Sequence, residues 1–122
     1  VGISVPQAMY DDFVKISEPI QKIRPDYPFE VKVREPRKRP TRMGGTDASV
    51  FAIEGVPTLG FTTEDFKGYD FDYGEIWHTE RDLYTKNIPE YQEHTATVTA
   101  IIALGVANLD KQLSREGLYT EE

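Results

Sequence analysis

The sequence predicts an α/β fold with helices packed on a mixed sheet, and three patterns predict it. Met9, Phe13, Ile16, Ile20 and Ile23 recur at helical spacing. Phe29, Val31 and Val33 alternate with Glu30, Lys32 and Arg34, the period of a half-buried strand. Val98, Ile102, Val106, Leu109 and Leu113 form a second helical stripe. Helical and strand periods that follow one another along a chain place helices against a sheet.

The first helix is expected over residues 6–24. Pro6 suits a first helical position, Pro19 is expected to kink or split the helix, and Pro25 and Pro28 end it. The strand at 29–33 carries charge on its outer face, which suits a sheet edge. A Pro/Arg/Lys loop then runs to Gly44-Gly45. Residues 46–54 read as a short helix, with Thr46 or Asp47 as its N-cap and Gly55 as its stop. Val56 to Phe61 reads as a buried strand despite Pro57. Residues 62–76 form a long loop rich in acids and aromatics, and long loops in compact domains are often functional. Residues 89–114 read as one long helix, and 115–122 as a frayed tail. Two strands make a thin sheet, which predicts further strands outside this chain.

Composition narrows the chemistry. A chain of 122 residues is one domain at most. It has no cysteine, which excludes disulfide scaffolds, thiolate metal sites and cysteine nucleophiles. No apolar run reaches the ~18 residues that cross a membrane, so no membrane partner is expected. Net charge is −7, which disfavours nucleic acid. From Lys22 to Arg42, eight bases face three acids, a local +5, yet no aromatic interleaves with the densest run to make a stacking platform. From Met43 onward, fifteen acids face five bases, a local −10. Val1 opens the chain without methionine, so a processed chain or a piece of a longer one is expected.

Two clusters carry possible chemistry. In Gly44-Gly45-Thr46-Asp47, the glycines let backbone approach a ligand, and Asp47 sits by a helix N-terminus that keeps it ionised. The plain alternative is a capped helix after a loop. In Trp77-His78-Thr79-Glu80-Arg81-Asp82, His78 suits a metal ligand or a general acid/base, or it is simply hydrogen-bonded. The second histidine, His94, reads as a surface or packing residue of the long helix. Asp70-x-Asp72-x-Gly74 matches a calcium loop only in part. There is no Gly-x-Ser-x-Gly elbow, no P-loop and no two-histidine zinc motif.

Gly-Gly-Thr-Asp-x-x-x-Phe, then Glu-Gly-Val-Pro, then Trp-His-Thr-x-x-Asp and a long terminal helix follow in order. This layout, from about Tyr10 to Leu113, resembles the C-terminal portion of the co-catalytic zinc aminopeptidases, relatives of glutamate carboxypeptidases and glutaminyl cyclases. The resemblance implies a three-layer α/β/α zinc-exopeptidase fold, with residues 1–122 a single partial domain that supplies its later strands and last helix. It implies that His78 binds one of two zinc ions and that Trp77 lines the substrate pocket. Asp47 would orient the site without touching metal, within the Gly45-Thr46-Asp47 turn, and Asp82 would fix the histidine segment. A histidine that binds zinc needs its second ring nitrogen held by an acceptor.

The remaining family ligands, and the glutamate that acts as general base on a metal-activated water, have no counterpart in this chain. The chain alone is therefore expected to be inactive and to hold no zinc, or one weakly. The implied activity of the parent is removal of N-terminal residues from peptides. Trp77 in place of tyrosine favours glutaminyl cyclase-like chemistry mildly, and a non-catalytic interaction module is the third reading. The resemblance further implies a secreted or periplasmic location. Self-association through an exposed sheet edge is expected of a severed sheet.

Overall fold

Ile3 and Val5 alternate with Gly2 and Ser4, and these four residues form β1 (Gly2–Val5), the centre of a three-stranded sheet. The structure is a computed structural model and describes residues 1–120. Its architecture is mixed α/β: a small mixed sheet with helices packed on it. The alternation in β1 is too short to stand out in the sequence, yet Ile3 and Val5 are fully buried.

A single 3-10 turn, Gln7–Met9, leads into α1 (Tyr10–Ile23). Pro19 lies inside α1 and does not split it. The proline costs one ladder hydrogen bond. Phe13, Ser17 and Ile20 keep the inner face buried on both sides of that gap. Ile23, the last member of the stripe, is exposed.

β2 (Glu30–Val33) pairs parallel to β1, with Gly2 opposite Glu30 and Val5 opposite Val33. It is an edge strand, as its charged face predicts. β3 pairs antiparallel to the other side of β1 and contains only Phe61 and Thr62. The expected strand at 56–61 is thus reduced to its end. Pro57 has no N–H for a ladder, and residues 56–59 are half-buried without a strand partner.

α2 (Ala48–Ile53) occupies the expected place, and Gly55 at φ +73° follows it as the left-handed stop. No side chain among the described residues caps it, and Asp47 already has helical dihedrals, where a capping residue is usually extended. Within the long loop, Tyr73–Ile76 forms a one-turn helix, α3, and Tyr84–Lys86 a 3-10 turn.

α4 (Pro89–Ala107) begins at a proline and ends seven residues before the expected stop. Asn108 and Asp110 follow, side chains that compete with the helical backbone for its hydrogen bonds. Its inner face presents His94, Val98 and Ile102. Its outer face exposes Gln92 and Glu93 in the first turns but is mainly apolar in the second half, where Ala100 and Ala103 are exposed and Leu104 is 64% exposed. No helix among the described residues is long and apolar enough to cross a membrane.

The core joins Ile3 and Val5 of β1 and Met9, Phe13 and Ile20 before and within α1 to Val98 and Ile102 of α4. Gly105 sets how closely the two long helices meet. A Cβ at this position would lie 2.3 Å from Ile16 Cγ2. The tail expected to fray is docked as far as Thr120. Leu118 is 1% exposed, and Arg37 pairs with Tyr119 through Arg37 N–H to Leu118 O (3.3 Å) and Thr120 N–H to Arg37 O (3.0 Å). The last two residues of the expected tail, 121 and 122, lie outside the described residues.

Candidate functional site

The acidic loop is ordered by one carboxylate. Asp65 Oδ1 accepts from Tyr69 N–H (2.9 Å) and from the Tyr91 hydroxyl of α4 (2.6 Å), and Oδ2 accepts from Phe71 N–H (3.1 Å). The tyrosine bond first, then the backbone N–H groups, holds the Asp65 carboxyl down at about 2. A second tie lies alongside. Lys67 Nζ pairs with Glu90 of α4 at 2.7 Å, and the Tyr27 hydroxyl donates to the same carboxylate. These partners, Lys67 foremost, lower the Glu90 carboxyl to about 2 and raise the Lys67 ammonium. Lys67 also lies 4.8 Å from the Tyr27 ring centre, and Arg24 approaches that ring at 4.3 Å.

Beyond the loop, Asp72 caps α3 by accepting from Gly74 N–H at 2.9 Å. Asp70 pairs with Lys86 at 3.7 Å. The two aspartates of the partial calcium pattern thus have structural partners. α3 sets up the histidine segment. Trp77 N–H returns to Tyr73 O (2.9 Å), and the Thr79 hydroxyl donates to the carbonyls of Glu75 and Ile76 (both 2.9 Å). His78 is turned outward between these anchors, at φ +56°. A non-glycine residue there is strained. Its ring stacks on Trp77 at 4.1 Å, and Trp77 stacks on Tyr73 at 6.0 Å. His78 and Trp77 are both exposed, and no protein hydrogen bond holds either His78 nitrogen among the described residues.

Asp82 joins the segment through its N–H, which donates to Thr79 O at 3.2 Å. Gly45, Thr46 and Asp47 form an exposed turn in which the Ser49 hydroxyl donates to Thr46 O at 2.7 Å. Among the described residues, no hydrogen bond or ion pair joins this turn to Trp77, His78 or Asp82. Likewise, no group of three His, Asp or Glu side chains gathers there to hold a metal ion. A zinc site takes three or four protein ligands, so His78 alone does not complete one.

The histidine segment borders a cavity of about 850 Å³ between the acidic loop, residues 82–88 and the first turns of α4. Ile76 and Asp82 form part of its wall, as do Tyr27, Phe66, Tyr91 and His94. Tyr27 is the centre of an aromatic cluster, 4.9 Å from Phe66 edge-on and 4.5 Å from the His94 ring. His94 is 1% exposed, and neither ring nitrogen has a hydrogen-bond partner among the described residues. Burial lowers its tendency to protonate.

Of the two readings of His94, surface or packing, the structure bears out packing: it lies four residues before Val98, on the buried stripe of α4. Tyr27, between two prolines, carried no such signal, because its partners are 63 and 39 residues away in Glu90 and Phe66. Comparison of the chain with protein-family models, curated proteins and solved structures finds no match.

Proposed function

We propose that this chain is the C-terminal part of a zinc-dependent aminopeptidase with a three-layer α/β/α fold, and that His78 is its contribution to the metal centre. One observation carries the reading: His78 sits in the ordered Trp-His-Thr-x-x-Asp pattern on a strained, exposed turn, and the acceptor that would orient its ring, which no described residue supplies, belongs in this reading to the rest of the parent. Strain of about 1–3 kcal/mol at a single residue persists where a site over-determines it. The remaining ligands and the general-base glutamate belong, in this reading, to polypeptide outside residues 1–122. The chain alone offers one imidazole and is proposed to be inactive, with peptide as the parent's substrate.

The exposed Ala100, Ala103 and Leu104 in the second half of α4 support a larger domain, because exposed apolar surface of this kind is often covered by a partner element. The acidic run from Glu64 to Asp82 suits a substrate that carries a free ammonium group. The bare edge of β2 supports self-association when the chain is alone.

The test is metal content and activity of the intact protein. Zinc should co-purify, aminoacyl anilides should be hydrolysed, and His78→Ala should lose one zinc and the activity together. Full zinc occupancy and activity in that variant would sink the assignment. Trp77, which has no hydroxyl to offer an oxyanion, favours a second reading as a glutaminyl cyclase-like enzyme with a single zinc. Turnover of glutaminyl peptides and not of anilides would select it.

A further inference from the structure

We infer that β2 pairs with β2 of a second copy of this chain, antiparallel and centred on Val31. The inference narrows the self-association proposed above to one edge and one register, and it does not rest on the metal centre. The backbone sets the first condition. Arg34 N–H donates to Val5 O at 2.9 Å, and Pro28 O accepts from the Val1 ammonium at 3.3 Å. The even-numbered residues of this segment therefore aim their backbone groups at β1. Alternation turns the N–H and C=O of Phe29, Val31 and Val33 outward, along an edge that no described strand covers. Pro28 lies in the inward phase, so it removes no outward donor.

The side chains then choose the register. A two-fold pairing joins outward residues to outward residues, so its centre falls on a residue of the strand. Centred on Glu30 or on Lys32, the strands set like charges directly opposite at the axis, which is destabilising. Centred on Val33, Lys32 faces Arg34 of the second copy. Centred on Val31, Glu30 faces Lys32 of the second copy on both sides of the axis. Val31 then meets Val31, and Phe29 meets Val33, as hydrogen-bonded pairs. Glu30 and Lys32 fall in the closer, non-hydrogen-bonded pairs. They already pair within one strand at 3.6 Å, both exposed, so this register builds a patch of alternating charge. The other face of the strand is apolar. Val33 is 44% exposed there, and Val14 of α1, 42% exposed, lines a groove with Phe29 and Val31 along the same edge. The two-fold axis sets this groove beside its copy and covers both valines. The opposite edge of the sheet offers only Phe61 and Thr62, with no charge to match.

Sedimentation velocity of the full chain from about 10 µM to about 1 mM should show a reversible monomer–dimer equilibrium, the weak class expected of an interface below ~1,200 Å². Glu30→Lys and Lys32→Glu, both at exposed positions, should each weaken the homodimer about tenfold, because each sets like charges opposite. An equimolar mixture of the two variants should regain the parent affinity as a heterodimer. The chain has no cysteine, so Glu30→Cys mixed with Lys32→Cys should crosslink on mild oxidation, while either variant alone should not. A chain that stays monomeric at about 1 mM would overturn the proposal and leave the edge to a strand of different sequence. A dimer indifferent to both charge reversals, or one that crosslinks through Glu30→Cys alone, would overturn it as well and move the contact to another face or register. Zinc content and activity enter none of these readouts, so this pairing and the metallopeptidase reading fail separately.

Discussion

Replacing Gly105 with alanine tests the closest approach in the core. The added Cβ would lie 2.3 Å from Ile16 Cγ2, 2.9 Å from Cγ1 and 3.1 Å from Cβ. Ordinary carbon contacts are about 3.5–4.0 Å, so one or both helices must give by more than 1 Å. Ile16 cannot turn aside, because a β-branched side chain in a helix has one strongly preferred rotamer. Separation of α1 from α4 would loosen Phe13 and Ile20 against Val98 and Ile102. Fraying the last turn of α4 would release the clash but lift Val106 off the core. Overpacking of this kind costs about 1–3 kcal/mol, offset by roughly 1 kcal/mol from better helix propensity. A net loss of up to about 2 kcal/mol is expected, read as a Tm lower by as much as roughly 8 °C. Thermal and urea melts of Gly105→Ala, Ile16→Ala and the double variant measure it. The double variant should be more stable than the sum of the singles implies, since alanine at 16 vacates the space. A Gly105→Ala protein that gains stability, with no coupling to position 16, would refute the close approach.

Three further outcomes follow from particular contacts. The Asp65 and Glu90 carboxyls are lowered to about 2, so the stability they contribute is complete above their unfolded values near 4 and falls away as pH drops towards 2; melts of Glu90→Gln should show a shallower acid loss than the parent, and identical slopes would count against the Lys67–Glu90 tie. Leu118→Ala should cost about 2–4 kcal/mol, the range for a buried leucine, whereas a frayed tail predicts almost nothing. His78→Gly should leave stability unchanged or raise it by about 1 kcal/mol, because glycine accepts φ +56° without strain; a clear drop in Tm would show that the imidazole has a structural role.

Sequence periodicity revealed the elements whose burial is regular. α1 and α4 followed from stripes at helical spacing, and β2 was legible as an edge from its charged face. What escaped was short or long-range. β1 holds only two inward residues, and its central place comes from partners 28 and 58 residues from Ile3, Val31 and Phe61, which local pattern does not reveal. Pro57 shortened β3 by removing a ladder donor, a rule visible in the sequence but outweighed there by the apolar run. The histidine segment was singled out by residue type and proves exposed and strained. The ties of Tyr27 and Asp65 to α4 were not legible, because they depend on where the loop lands.

The strand–helix–strand unit of β1, α1 and β2 is complete by Val33, while the helix that covers Phe13 and Ile20 begins only at Pro89. During synthesis, that apolar face emerges more than fifty residues before its cover. At ~5–20 residues per second, it stays bare for several seconds or more. The exposed basic stretch from Arg37 to Arg42 separates the early half from the late one. A chain nicked there therefore consists of two pieces that meet across α1 and α4, β1 and β3, and Arg37 and Tyr119. Two separately made halves should assemble on mixing, with the second acting as the folding template for the first.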